Sequence, residues 1–278
     1  MVRIQNVLCP VDLSAISERA LRHAAALAAW YEARLTVLFV RTGFRVESTA
    51  RDVAAFIHSA IGAHPAQLRM TDGDVVSEIV RLATGLPADL LVMGTHGISG
   101  FKQLLLGSVT ERVWREAPCP VVTVPPRVAP RSPDAVSLAT VICAVDFSPS
   151  STRAVAYATS IAKRASGRLI LFHALEWLDD EVEAPSSGVD TKELPTSEDD
   201  ARQGLEELLT ADARASDPEL VVSHGSPAGE ILRLVRESGA GLIVLGVHGR
   251  NVLDRTLFGS TAQRVVRESP CPVLTVRA

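Results

Sequence analysis

Two loops in this chain have the residue types and spacing to hold a phosphate. Gly94, Gly97, Gly107 and Ser108 follow the pattern G-x2-G-x9-G-S, and the pattern returns at Gly246, Gly249, Gly259 and Ser260. Glycine admits positive φ and lets backbone amides approach an anion closely, so several can converge on one phosphate. Each serine opens a segment with helical patterning, SVTERVWRE or STAQRVVRE. The unpaired amides and positive dipole end of such a helix favour an anion by about 0.3–2 kcal/mol per charge. One copy alone would read equally well as a pair of turns. The glycines return while the nine residues between them mostly change, which assigns the glycines a specific task.

A second group of candidates accompanies the loops. Asp12 and Asp146 follow apolar runs and are suited to accept from ribose hydroxyls or to hold a divalent cation through water. Alternatively each caps the helix that comes next. His96 and His248 lie inside the loops and could touch phosphate or exchange a proton. No nucleophile accompanies them, so packing or solvent exposure is the simpler reading. Arg112, Arg115, Arg264 and Arg267 recur on the helical segments and read as solvated or interdomain residues rather than phosphate clamps. Cys9, Cys119, Cys143 and Cys271 form no C-x-x-C pair, which favours reduced, semi-buried thiols over a metal site.

The elements that must position these groups are themselves repeated. VLCPVDLSAISERALRHAAALA, from Val7, matches VICAVDFSPSSTRAVAYATSIA, from Val141, at an offset of 134. The segment Gly94 to Val124 matches Gly246 to Val276 at an offset of 152, with 16 of 31 positions identical. The difference between the offsets places an insertion at 176–200, with ten acidic residues and one lysine. It reads as a solvated loop, because as a lid it would set like charge against a polyphosphate. The boundaries are therefore a first domain at 1–127, a proline-rich linker at 128–137 and a second domain at 138–278.

In the first copy VLCPV, LTVLFV, LLVMG and PVVTV read as buried strands, with a weaker strand near 67–70. Helical patterns cover 14–31, with Ser14 or Ser17 as cap, 53–61 and 74–83. Strands alternating with helices predict an α/β fold: two tandem doubly wound domains, each a five-stranded parallel sheet covered on both faces. An order of 3-2-1-4-5 brings the ends of the first and fourth strands side by side, where such sheets bind ligands. Asp12 and Gly94 then meet, as do Asp146 and Gly246.

Composition limits the partners. With 278 residues, 47% hydrophobic, a net charge of -4 and 4% aromatic, the chain offers neither a basic stripe nor stacking platforms, and nucleic acid is not an expected partner. The opening MVRIQNVLCPVD lacks the features of a signal peptide and no apolar run has the length of a membrane span, so no membrane partner and a cytoplasmic location are expected.

These motifs together resemble the universal stress protein family in its tandem form. The likeness rests on V-D-x-S after the first strand, the G-x2-G-x9-G-S loop and P-C-P-V-x-x-V at the last strand, and covers nearly all of both halves. The resemblance implies ATP as ligand, with Mg2+, and dimerisation through the last strand. Fused copies would form that dimer within one chain, 121–124 meeting 273–276, with a homodimer as a further assembly. It also implies that Pro10, Val11 and Asp12 lie against ribose and adenine, that Val40 presents backbone to adenine, that Met93 packs on the base, and that Gly94, Gly97, Gly107, Ser108 and Val109 hold phosphates. In the second copy Ala144, Val145, Asp146, Ala174, Leu245, Gly246, Gly249, Gly259, Ser260 and Thr261 correspond, Ala144 replacing the proline and Ala174 the valine.

The resulting expectation is a nucleotide-dependent regulatory module of stress response, with at most slow ATP hydrolysis. The alternatives are an adenine-nucleotide-dependent enzyme and a nucleotide-free structural protein. The S-G-G-x-D-S loop of the related ATP pyrophosphatases is absent where PVDLSAIS and AVDFSPSS stand, as are the Walker A and G-x-G-x-x-G patterns.

Overall fold

The structure, a computed structural model, describes residues 2–42, 49–95, 106–126, 138–176, 195, 197–215, 217–247 and 259–277. Its contacts form two compact units, Val2–Leu138 with Val266–Thr275, and Ala139–Val265 with the residues from Val276.

The N-terminal unit runs β1 (Asn6–Val11), α1 (Ala15–Tyr31), β2 (Arg34–Arg41), α2 (Ala50–Ile61), β3 (Gln67–Asp72), α3 (Val75–Gly85), β4 (Leu90–Gly94), α4 (Ser108–Glu116) and β5 (Val121–Val124). All pairings among these strands are parallel: β3 with β2, β2 with β1, β1 with β4 and β4 with β5. Strands in such a sheet are covered on both faces, and β4 accordingly reads Leu-Leu-Val-Met with every one of those residues buried. Helix α1 presents Ala20, Leu21, Ala24, Leu27 and Ala28 to the core, a stripe at helical spacing. Helix α2 begins at Ala50, three residues before the apolar pattern does. The cause is a capping box: the Thr49 hydroxyl accepts from the Asp52 N–H, and the Asp52 carboxylate accepts from the Thr49 N–H at 2.8 Å.

The second repeat runs β6 (Thr140–Ala144), α5 (Pro149–Arg164), β7 (Arg168–Leu175), α6 (Glu198–Glu207), α7 (Ala211–Arg214), β8 (Glu219–His224), α8 (Pro227–Ser238), β9 (Leu242–Gly246), α9 (Ser260–Glu268) and β10 (Val273–Val276). Strands β8, β7, β6 and β9 pair in parallel in that order. The acidic stretch expected as a loop to residue 200 is helical over its last three residues, which open α6 under the cap of Ser197. Most of the remainder lies outside the described residues.

Strand β10 pairs antiparallel with β5, Val273 opposite Thr123 and Thr275 opposite Val121, so 121–124 and 273–276 meet as the resemblance implied. The Thr123 hydroxyl donates to the Val273 carbonyl at 3.3 Å and the Thr275 hydroxyl to the Val121 carbonyl at 3.1 Å. Among the described residues no helix is long and apolar enough to cross a membrane.

Candidate functional site

The carboxyl ends of β1 and β4 lie side by side. Leu8 pairs with Leu91, and three more steps along the same register bring Val11 level with Gly94. Across β1 the partner of Val11 is Phe39, so Val40 stands level with Asp12. Val40, Val11 and Met93 are buried, Pro10, Asp12 and Gly94 half-buried, and all six share one edge of the sheet. In the second repeat Ala144 pairs with Leu245 and with Phe172, which sets Ala174 level with Asp146 and brings Gly246 beside them. Gly97 and Gly249 lie outside the described residues, as do His96 and His248.

The turn leaving β1 is held by a small polar network. Ser14 caps α1 by accepting from the Ser17 N–H at 3.1 Å, and Ser17 donates its hydroxyl to the Ser14 carbonyl at 3.0 Å. Oδ1 of Asp12 accepts from the Ser14 N–H at 3.0 Å. The cap is thus the serine, and the aspartate sets the turn that precedes it. The network returns in the second repeat, with Ser148 accepting from Ser151 and Asp146 Oδ1 from Ser148, at 3.2 and 3.0 Å. Between aspartate and serine the backbone is left-handed, at Leu13 (φ 63°) and Phe147 (φ 61°). That conformation costs a non-glycine residue about 1–2 kcal/mol, a strain the surrounding hydrogen bonds must overcome.

Helix α4 docks its first turn on the end of β4. The Gly107 N–H donates to the Thr95 carbonyl at 2.9 Å and the Thr110 hydroxyl to the Gly94 carbonyl at 2.9 Å. The Gly107 amide is therefore committed to the protein, and the amides that remain for an anion are those beyond it. Gly107 stands as N-cap without a side-chain hydrogen bond, whereas α1, α2 and α3 are capped by Ser14, Thr49 and Asp74. Ser108 and Val109 are exposed. The first turn of α4 is thus uncapped and exposed, on the same sheet edge as the Asp12 carboxylate. In the second repeat the Gly259 N–H donates to the Val247 carbonyl at 3.1 Å, with Ser260 exposed and Thr261 half-buried. Ala262 stands where the first repeat has Thr110, so the hydroxyl bond to the strand end is lost.

Gly246 has a task the sequence reading missed. A Cβ there would lie 2.4 Å from Ser150 Oγ and 2.8 Å from the Ser151 N, so the first turn of α5 packs on the strand end too closely for any side chain. The Ser150 contact had no signal in the spacing, because it joins segments that are remote in sequence, and the Thr95 and Thr110 bonds depend on how the loop folds back rather than on which residues it holds. Arg112 is exposed and Arg115 pairs with Glu111 at 2.9 Å on the same helix, in keeping with a solvated face. The four cysteines are free and buried, and burial pushes the thiols of Cys9 and Cys143 far up. At Cys143 the negative charge of Asp146 adds to the effect. A recess of about 430 Å3 lies elsewhere, between α1 and α2, lined by Arg22, Ala26, Ala29, His58, Gly62 and His64. It touches neither strand edge, and Arg22 there is paired with Glu18.

Fold and strand edge together define an α/β chain in which one design is repeated in tandem. The model of the universal stress protein family matches residues 3–125 and again 138–277, and the chain belongs to that family. A universal stress protein of Mycobacterium tuberculosis is 33% identical over 202 residues, 68% of this chain and 62% of that one, so the chain spans about 62% of the length of that relative. Another, of Mycolicibacterium smegmatis, is 28% identical over 301 residues, covering 98% of this chain and 97% of that one. The crystal structure of a universal stress protein from Archaeoglobus fulgidus aligns over 98% of both chains at 25% identity, with a TM-score of 0.69.

Proposed function

We propose that this chain binds an adenine nucleotide, with ATP and Mg2+ as the expected form, and acts as a nucleotide-dependent regulatory module. The observation that carries the reading is the uncapped, exposed first turn of α4 standing on the same sheet edge as Asp12. Phosphates would meet the amides of Ser108 and Val109, and ribose hydroxyls would donate to the Asp12 carboxylate, which accepts from Ser14 through Oδ1. Val11, Val40 and Met93 offer an apolar flank for the base. Mg2+ would be held by the phosphates, with Asp12 placed to reach it through water.

Titration calorimetry with ATP, ADP and AMP in the presence of Mg2+ tests the reading. Heat of binding is expected with ATP, and Gly107→Val weakens it. A folded protein that binds none of the three overturns the proposal, and rapid phosphate release that depends on a second substrate would make the chain an enzyme instead.

A further inference from the structure

The recess between α1 and α2, set apart from the strand edges, gathers donors that the protein itself does not use. Ala25, Ala26 and Ala29 of α1 line one side and the last turn of α2 the other, and these small side chains leave a gap of about 430 Å3. Small-molecule sites occupy about 300–1,000 Å3.

Three nitrogen-bearing side chains line the gap: Arg22 of α1, His58 in the last turn of α2, and His64 just beyond that helix. The chain turns back after α2 because Gly62, its C-cap, adopts φ 58°. The Gly62 N–H donates to the His58 carbonyl at 2.9 Å and the His64 N–H to the Ile61 carbonyl at 3.2 Å. This turn carries His64 to the recess that His58 already lines.

Most of these donors are unspent. Arg22 gives Nη2 to Glu18, one turn earlier on α1, while its Nε and Nη1 bond to no described residue. Its side chain is nonetheless only 22% exposed. The rings of His58 and His64 have no hydrogen-bond partner among the described residues either. Burial lowers the pKa of His64, so near neutral pH its ring is uncharged and offers one N–H. Among the described residues no acidic side chain lines the recess.

The second repeat lacks these groups. At the offset of 134 the counterparts of Arg22, Ala25, Ala26 and Ala29 are Ala156, Thr159, Ser160 and Lys163. Thr159 and Ser160 are buried, and α7 packs on α5 there. The strand-edge turns recur in both repeats and this set of donors does not, so it is no by-product of the shared design.

The lining selects the ligand. Guanidinium and imidazole N–H groups suit a carboxylate, and the alanines with Ile61 suit an apolar body. A dianion such as phosphate fits poorly, because the recess lies at the carbonyl end of α2, the negative end of its dipole, with Glu18 beside Arg22. We propose that the recess is a ligand site in its own right, taking a small organic monocarboxylate that accepts from Arg22 and the two imidazoles and rests its apolar part on the alanine floor. This site is independent of the nucleotide-binding reading.

Titration of the 15N-labelled full chain with sodium benzoate, followed by 1H–15N spectra, tests it, with benzamide as an uncharged probe of the same shape. Saturable shifts are expected at Ala26, Ala29 and Gly62. Benzamide should bind about tenfold more weakly, and Arg22→Gln should weaken benzoate about tenfold, the loss of one charged hydrogen bond. Ala29 is exposed, so Ala29→Phe fills the recess without disturbing the core and should abolish the shifts. Circular dichroism melts establish that both variants fold. No saturable shift in the unaltered protein, equal binding of benzamide, or benzoate binding undiminished in Ala29→Phe overturns the proposal. Nucleotide binding, measured separately by calorimetry, stands or falls without reference to these outcomes.

Discussion

The indole Nε1 of Trp114 donates to the Thr275 hydroxyl at 2.7 Å, joining a helix of the first repeat to the last strand of the second. Trp114 is 1% exposed, and the corresponding position in the second repeat is Val266, so this bond has no symmetric counterpart. The strand pair beneath it is nearly symmetric, with Thr123 and Thr275 each donating across it. Trp114→Phe keeps most of the ring and removes the bond, which should cost about 0.5–1.5 kcal/mol. Trp114→Ala also opens a cavity and should cost about 3–5 kcal/mol. Urea unfolding followed by circular dichroism reads both, and equal losses for the two variants would show that the hydrogen bond, not packing, dominates.

Gly246 separates packing from ligand binding. With Ser150 and Ser151 pressed against its Cα, Gly246→Ala should lower stability by about 1–3 kcal/mol in the absence of any nucleotide. A variant that melts at the unaltered temperature would mean that the α5 first turn moves aside freely.

Acid should loosen the helix starts. The carboxyl of Asp74 is held below the usual range by the N–H and hydroxyl of Ser77, and that of Asp52 by the hydroxyl and N–H of Thr49. A depressed folded value stabilises the protein above the unfolded pKa of about 3.9, and the contribution disappears as pH falls through the folded value. Melting temperature should therefore drop as the pH goes below about 4, and Asp74→Asn, which can still cap, should flatten the drop. An unchanged slope in the variant would remove Asp74 from the account.

The thiols behave in the opposite sense. Burial raises the Cys9 and Cys143 values, so their contribution is complete below the unfolded thiol pKa of about 8.5 and is lost as pH rises beyond it. At pH 8 the native protein should react slowly with a disulfide reagent, while in guanidinium all four cysteines react at once. Fast native reaction of two thiols would expose Cys119 and Cys271, which are 8% and 7% accessible, as the open pair.

Much of this arrangement is legible in the residues before any coordinates. Alternating apolar runs and helical stripes mark β1 to β5, and the doubled V-D-x-S and glycine patterns mark both edges. The start of α2 escaped because its cap, Thr49 with Asp52, precedes the apolar periodicity. Gly94 and Gly246 were read as one feature, yet the tight approach of Ser150 to Gly246 depends on how deeply α5 settles, which no spacing encodes. The packing around Phe147 was equally hidden. It needs Phe147, His173 and Gly204 to converge from three elements, and only the fold brings them together.

The pairing of β5 with β10 also sets an order of events during synthesis. The N-terminal unit is completed by a strand whose residues lie about 150 positions downstream of their partners, and at 5–20 residues per second the ribosome needs roughly 8–30 s to make them. For that interval the nascent first repeat displays the bare backbone of Val121–Val124, a template on which a neighbouring nascent chain on the same message could pair. Slowing translation between the repeats should therefore raise the yield of cross-chain aggregates without changing a single residue.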